Sequence, residues 1–276
     1  VSALYGRIWR VQVGTLQTDA LDVEFKIKRT LRATPGTCEL TIFNLTDAHR
    51  REIHGARRPL VQVEAGYRDT GLSLLFRGDG RRSQIERDGT DFNVKVLAGD
   101  GAFAIRTARC GRAFGPDTRL DEVVRAIADA MGVGTGNVPE ALRAAGLDRV
   151  GALFPRGTAV RGPAARELTA LLHSARLSWS IQDGVLQVLP YGGALARTAV
   201  LLSPDTGLVG SPEIGEHGAL KARAFLQPDL VPGRQVQLAS AVQRGLYRIT
   251  TAEYTGQSTG GGSSPWYAAL ELRQVT

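Results

Sequence analysis

Between Asp22 and Leu45, in DVEFKIKRTLRATPGTCELTIFNL, apolar and polar positions alternate in two runs. Val23, Phe25 and Ile27 interleave with Glu24, Lys26 and Lys28, and Cys38, Leu40 and Ile42 interleave with Glu39 and Thr41. A two-residue period is that of a strand with one buried face. Pro35-Gly36 lies between the runs. Proline presets φ for the first central position of a turn, and glycine supplies the positive φ that a type II turn needs at the second. The stretch predicts a long antiparallel hairpin whose outer side carries charges and threonines.

Around this hairpin, residues 5–13 (YGRIWRVQV), 60–65 and 72–77 (LSLLFR) predict strands. Thr46 and Asp47 offer caps for a short helix, AHRREIHG, closed by Gly55. Asp88-Gly89, flanked by RSQIER and DFNVKVLAG, predicts a hairpin tip. Six or seven strands with one small helix make residues 1–104 a β domain, a closed or nearly closed antiparallel barrel or sandwich.

The period changes near Ile105. Leu120, Val123, Val124, Ile127 and Met131 fall on one helical face, with Asp117 or Thr118 as cap and Gly132 as stop. A second amphipathic helix, PAARELTALLHSA, starts at Pro163 and puts Leu168, Leu171, Leu172 and Ala175 together. Asp183-Gly184 then separates two alternating runs in LSWSIQDGVLQVLP, a second hairpin signal. Residues 105–190 therefore predict a small α/β module. From Ala199 strands return in AVLLS, GALKARAFL, RQVQLAS, GLYRITTAEYTG and WYAALELRQ. Between them SPDTGLVGSPEIGEHG and QPDLVPG read as loops, and the Gly/Ser-rich GQSTGGGSSP as a mobile hairpin tip. Residues 191–276 are again β.

With 276 residues, 43% hydrophobic and 22% charged, the chain suits a soluble globular protein of two or three domains. It has no apolar run of about 18 residues and no basic, apolar leader, so no membrane span, secretory signal or stable membrane binding is expected. Its two cysteines, Cys38 and Cys110, are too few for a disulfide framework. The net charge of +7 is uneven: residues 1–115 hold 19 Lys and Arg against 13 Asp and Glu, and the rest 15 against 14. Acidic residues are interspersed and aromatics are 6%, which favours a solvated or protein-facing basic surface over a nucleic-acid groove.

Candidate chemistry is sparse. GVGTGNV at 132–138 has glycines in the manner of a phosphate loop, but it follows a helix and lacks the lysine and spacing of a nucleotide fingerprint, so a helix stop is the reading. Glu213, Glu216 and His217 are close in sequence without a known ligand spacing. His173 ends an amphipathic helix, where capping or packing outweighs catalysis. Arg109 beside Cys110 would lower a thiol pKa, yet no partner histidine motif accompanies it. Glu86 and Asp88 read as turn and edge residues, not as a paired acid and base. No catalytic, cofactor-binding or metal site is expected.

Several runs together resemble bacteriophage tail and baseplate hub proteins: VEFKIKRTLRATPGTCELTIFNLT, LVQVEAGY, LFRGD, LLSPDTGLVGSPEI, LQPDLVPGRQVQL and GLYRITTAEYTG. The pattern is densest at Leu226, Pro228, Leu230, Pro232 and Gly233, then Gly245 and Tyr247. The resemblance implies a mainly β fold with an α/β insertion: two antiparallel β-barrel domains, 1–104 and 191–276, flanking the module at 105–190. It implies a structural, non-enzymatic hub in the virion tail baseplate, assembled in the bacterial host cytoplasm as a homotrimeric ring. Its partners would be the tail tube protein, the central spike or tip protein and other baseplate proteins, with DNA present only in transit. The arginine excess of the first 115 residues would serve subunit contacts. Rival readings are a tail-associated cell-wall-degrading enzyme, which needs a pocket with paired carboxylates or a nucleophile and base, and a nucleic-acid-binding barrel, which needs a continuous basic, aromatic groove.

Overall fold

Val23, Phe25 and Ile27 are fully buried, and they stand on the strand from which the sheet extends in both directions. The structure, a computed structural model, describes residues 6–89, 91–147, 153–215, 218–259 and 264–275. The first region runs β1 (Arg7–Val13), β2 (Leu16–Thr18), β3 (Val23–Thr30), β4 (Gly36–Ile42), α1 (Asp47–Gly55), β5 (Leu60–Tyr67), β6 (Gly71–Asp88), β7 (Asp91–Asp100) and α2 (Ala102–Thr107). The module follows with β8 (Arg109–Phe114), β9 (Thr118–Arg119), α3 (Leu120–Met131), α4 (Val138–Ala144), β10 (Leu153–Phe154), β11 (Thr158–Pro163), α5 (Ala164–Ser174), β12 (Leu177–Gln182) and β13 (Val185–Pro190). The last region holds β14 (Val200–Leu202), β15 (Leu208–Ile214), β16 (Leu220–Phe225), β17 (Gln235–Ala239), β18 (Arg244–Gln257) and β19 (Trp266–Gln274).

The protein is mainly β. Strands from both outer regions form one curled 13-stranded sheet in the order β15-β16-β19-β18-β3-β4-β7-β6-β5-β1-β2, with β17 on β18 and β14 on β17. The stretches 1–104 and 191–276 are thus joined edge to edge: β3 pairs with β18 from Thr30 opposite Thr251 to Glu24 opposite Gln257. Their buried side chains form one continuous core, from Val11 and Phe25 to Tyr254 and Leu272. Two long strands turn the sheet. β6 pairs with β5 through its first half and with β7 through its second, slipping register between Gly80 and Arg82. β18 pairs with β17 through Arg244–Arg248 and with β3 beyond Thr251, slipping against β19 between Ile249 and Thr251. An extra residue on one strand bends it and increases its twist, which lets a sheet this wide curl.

The module has its own core, in which Val123, Ile127, Leu168, Leu172 and Leu186 are fully buried. The helical faces read from the sequence are those that pack: Leu120, Val123, Val124, Ile127 and Met131 of α3, and Leu168 and Leu172 of α5, are buried. Thr46 caps α1 as expected, its hydroxyl accepting from the His49 N–H at 3.4 Å.

Several local expectations need correction. Pro35-Gly36 does not form a type II turn: Gly36 has no positive φ and is the first residue of β4, paired with Asp100, while residues 31–35 make the connection. Pairing with β7 has drawn the glycine into the ladder. Neither Asp117 nor Thr118 caps α3, because Thr118 is taken up in β9, opposite Phe154, and its hydroxyl donates to the Gly115 carbonyl. α5 begins at Ala164, with Pro163 as its cap residue. β2, α2, β8, β9, α4, β10, β11 and β15 are elements the sequence pattern did not announce. The tip of the Gly/Ser-rich loop, 260–263, lies outside the described residues, so the expected mobility of that tip does too.

Candidate functional site

Arg29 continues the apolar phase of β3, two residues past Ile27, and its side chain is accordingly buried. A guanidinium inside a core must have every N–H matched or it destabilises the fold. Here Nη2 donates to Asp183 Oδ2 at 2.6 Å, Nε to Gln182 Oε1 at 2.8 Å and Nη1 to the Leu75 carbonyl at 2.9 Å. Asp183 and Gly184, both at positive φ, form the two-residue turn between β12 and β13, as their sequence predicts. Asp100, at the end of β7, accepts the N–H groups of Asp183 and Gly184, the latter at 2.9 Å. Gln182 Nε2 donates to the Thr30 carbonyl at 2.9 Å. The module's hairpin tip is therefore gripped by two strands of the sheet through charged and amide groups.

Burial, and then the neighbouring Asp183, push the Asp100 carboxyl up to about 6, against the pull of the two N–H groups and Arg29. An elevated carboxyl beside a second carboxylate is a pattern found at acid–base centres. In this protein both Asp100 oxygens are occupied by backbone donors and Arg29 neutralises Asp183, so the cluster fixes the module on the sheet instead of offering a base. Its members lie far apart in sequence. The one available signal was phase, since a charge at position 29 falls on the buried face.

The sequence candidates are not brought together. Cys110 is half-buried on β8; its thiol contacts the Gly162 carbonyl at 3.8 Å, and burial raises its pKa more than Arg109 lowers it, so it is not an activated thiol. Cys38 is fully buried and its thiol is pushed up by burial. His173, on the last turn of α5, meets the Tyr191 ring edge to face at 5.9 Å. Glu213 stands on β15 opposite Lys221, while Glu216 and His217 lie outside the described residues. Among the described residues no three His, Cys, Asp or Glu side chains gather as a metal site. Glu86 is an exposed residue of β6 opposite Asn93, and Asp88 pairs with Asp91 where the hairpin closes.

The glycine loop at 132–138 is a packing device. Gly132 stops α3 at φ 67°, Gly134 exchanges hydrogen bonds with the β12–β13 hairpin, and the Asn137 side chain both donates to and accepts from the Val188 backbone at 2.8 Å. Among the described residues no helix is long and apolar enough to cross a membrane.

A model of the family described as baseplate hub gp41 matches residues 10–259. The chain belongs to the baseplate hub gp41 family. It is thus a structural component of a phage tail, located in the virion's baseplate. No curated protein matches its sequence. The hub's fold is shared with a tail protein from Neisseria meningitidis, with a TM-score of 0.65 at 10% identity over 98% of this chain and 97% of that one. It is similar to the same degree to the 43 kDa tail protein of prophage MuSo2 from Shewanella oneidensis, at 0.64 and 11% over 98% of each. A type VI secretion system component of E. coli, described as structurally similar to T4 bacteriophage tail proteins gp27 and gp5, aligns at 0.60 and 11% over 96% of this hub and 77% of that chain.

Proposed function

We propose that three copies of this hub form a ring beneath the tail tube, joining the tube to the central spike or tip and leaving an axial path for DNA, with no catalysis of their own. The reading is carried by the family match over residues 10–259. The arrangement of the sheet fits it: two strand-rich regions of one chain, 1–104 and 191–276, flank the module and meet along β3 and β18. Treated as two barrel-like units, they would give a trimer six similar faces towards a sixfold tube, and closed cyclic symmetry reuses one surface without open-ended growth. The Arg29–Asp183–Asp100 cluster supports a structural role, because it fastens the module's hairpin tip to the sheet and leaves no free acid–base pair. The hub would meet its partners in the bacterial host cytoplasm during particle assembly.

Electron cryomicroscopy of native particles tests this reading by stoichiometry. Three copies in one ring next to the tube protein, copurifying with tube and spike, are expected. Six copies in a true sixfold ring, or one copy on the axis, would overturn it.

A further inference from the structure

Successive residues of a regular strand point to opposite faces, so Arg81 and Arg82 of β6 should part company. They do not. Gly80 faces Ala98 and Arg82 faces Leu97, which leaves Arg81 as the extra residue of a bulge, a device that re-aims side chains. Both arginines line one cleft of about 710 Å³. Arg57 and Arg58, from the loop between α1 and β5, and Arg106, from α2, line it too. The loop comes in close because residue 80 is glycine: its N–H donates to the Pro59 carbonyl at 2.7 Å, and a Cβ there would sit 2.8 Å from the Pro59 ring. Part of the lining is apolar, with Ile53, Val96 and Ala102 buried and Phe103 partly exposed under the Arg58 guanidinium at 3.7 Å.

Asp79 is the one carboxylate of this lining, and among the described residues none of the five arginines has a carboxylate within ion-pair distance. Two cations elsewhere on the sheet are matched, Lys26 by Glu253 at 3.1 Å and Lys95 by Glu39 at 3.0 Å. Five unmatched guanidiniums around one cavity repel one another and concentrate a field that attracts anions.

We propose that this cleft docks an acidic peptide segment of a separate protein. Guanidinium pairs bidentately with carboxylates, and the apolar lining suits side chains between them. A second copy of this chain is a poor occupant, since it carries a net +7 and some of its carboxylates are already bridged, including Glu39, Glu64, Asp121 and Glu253. Nucleic acid calls for a continuous groove with aromatic platforms, whereas this cavity is walled by two helices and its aromatic ring is already stacked against Arg58. The inference holds whether or not the hub forms a ring.

Fluorescence anisotropy of labelled octaglutamate on the full chain at low salt tests it. Binding is expected, weakened about tenfold or more by Arg81→Glu with Arg106→Glu, because each loses an anion partner and gains a repulsion. The same charge change at Arg109→Glu with Arg161→Glu, on β8 and β11, is expected to leave the affinity within about twofold, the residual effect of net charge. Arg57→Gln, on an exposed loop, gives a milder variant and is expected to weaken binding with unchanged circular dichroism. Equal weakening by both double variants, tighter binding of an eight-residue oligothymidylate, or self-association of the chain lost with the cleft arginines would each overturn the proposal.

Discussion

Arg29 and Asp183 lie 154 residues apart and meet at 2.6 Å, one on the central strand of the sheet and the other on the hairpin tip of the inserted module. A buried charge that loses its partner is penalised more than the intact pair is rewarded. Arg29→Met should therefore lower unfolding free energy by about 3 kcal/mol, the low end for a broken buried pair because Asp183 is partly solvated. Urea denaturation checks this through its midpoint. A variant as stable as the parent would mean that Arg29 adds nothing to the hold that Asp100, the Gln182–Thr30 hydrogen bond and the apolar contacts already give.

Asp100 sets a pH dependence. Its carboxyl stands at about 6 in the folded protein against an ordinary 3.8, so the folded state binds this proton more tightly than the unfolded one. The stability it contributes is fully present below about pH 4 and is lost as pH rises through about 6. Between pH 5 and 7 the wild type should lose about 1 kcal/mol that Asp100→Asn does not lose. Parallel pH profiles of the two proteins would contradict the assignment.

Gly256 of β18 sits opposite Phe25 of β3, and a Cβ on it would collide with the Cζ edge of the Phe25 ring, itself packed edge to face on Trp266 at 5.5 Å. Gly256→Ala should cost about 2 kcal/mol by overpacking. Phe25→Leu in the same chain should recover part of that loss, since the two changes share one space. Additive losses in a double-mutant cycle would show that the ring does not need the glycine.

Much of the fold was legible where one face meets the core. The alternation of β3, β4 and β7, the helical stripes of α3 and α5, and the Asp183-Gly184 hairpin all follow from local pattern. What local pattern lacks is the identity of each strand's neighbour, so the β3–β18 seam joining the outer regions left no mark in either strand. β6 reads as two pieces because Gly78 and Gly80 interrupt its alternation, although the ladder runs through them. α4 escaped notice because its seven residues include Pro139 and its buried side Val138, Ala141 and Leu142, too short for a period to emerge. The cluster on Arg29 was half visible: its burial follows from phase, its partners only from the fold.

The seam between β3 and β18 also sets an order of events during translation. β3 leaves the ribosome roughly 220 residues ahead of its neighbour, which at typical elongation rates is on the order of ten to forty seconds. For that interval one edge of the central strand has no mate, although residues 105–190, which hold the second core cluster, are already made. The nascent chain thus carries an open sheet edge, the condition that invites pairing with a neighbouring chain. Lys26, Lys28 and Arg29 on that strand give it charges that discourage such pairing until the last third of the protein arrives.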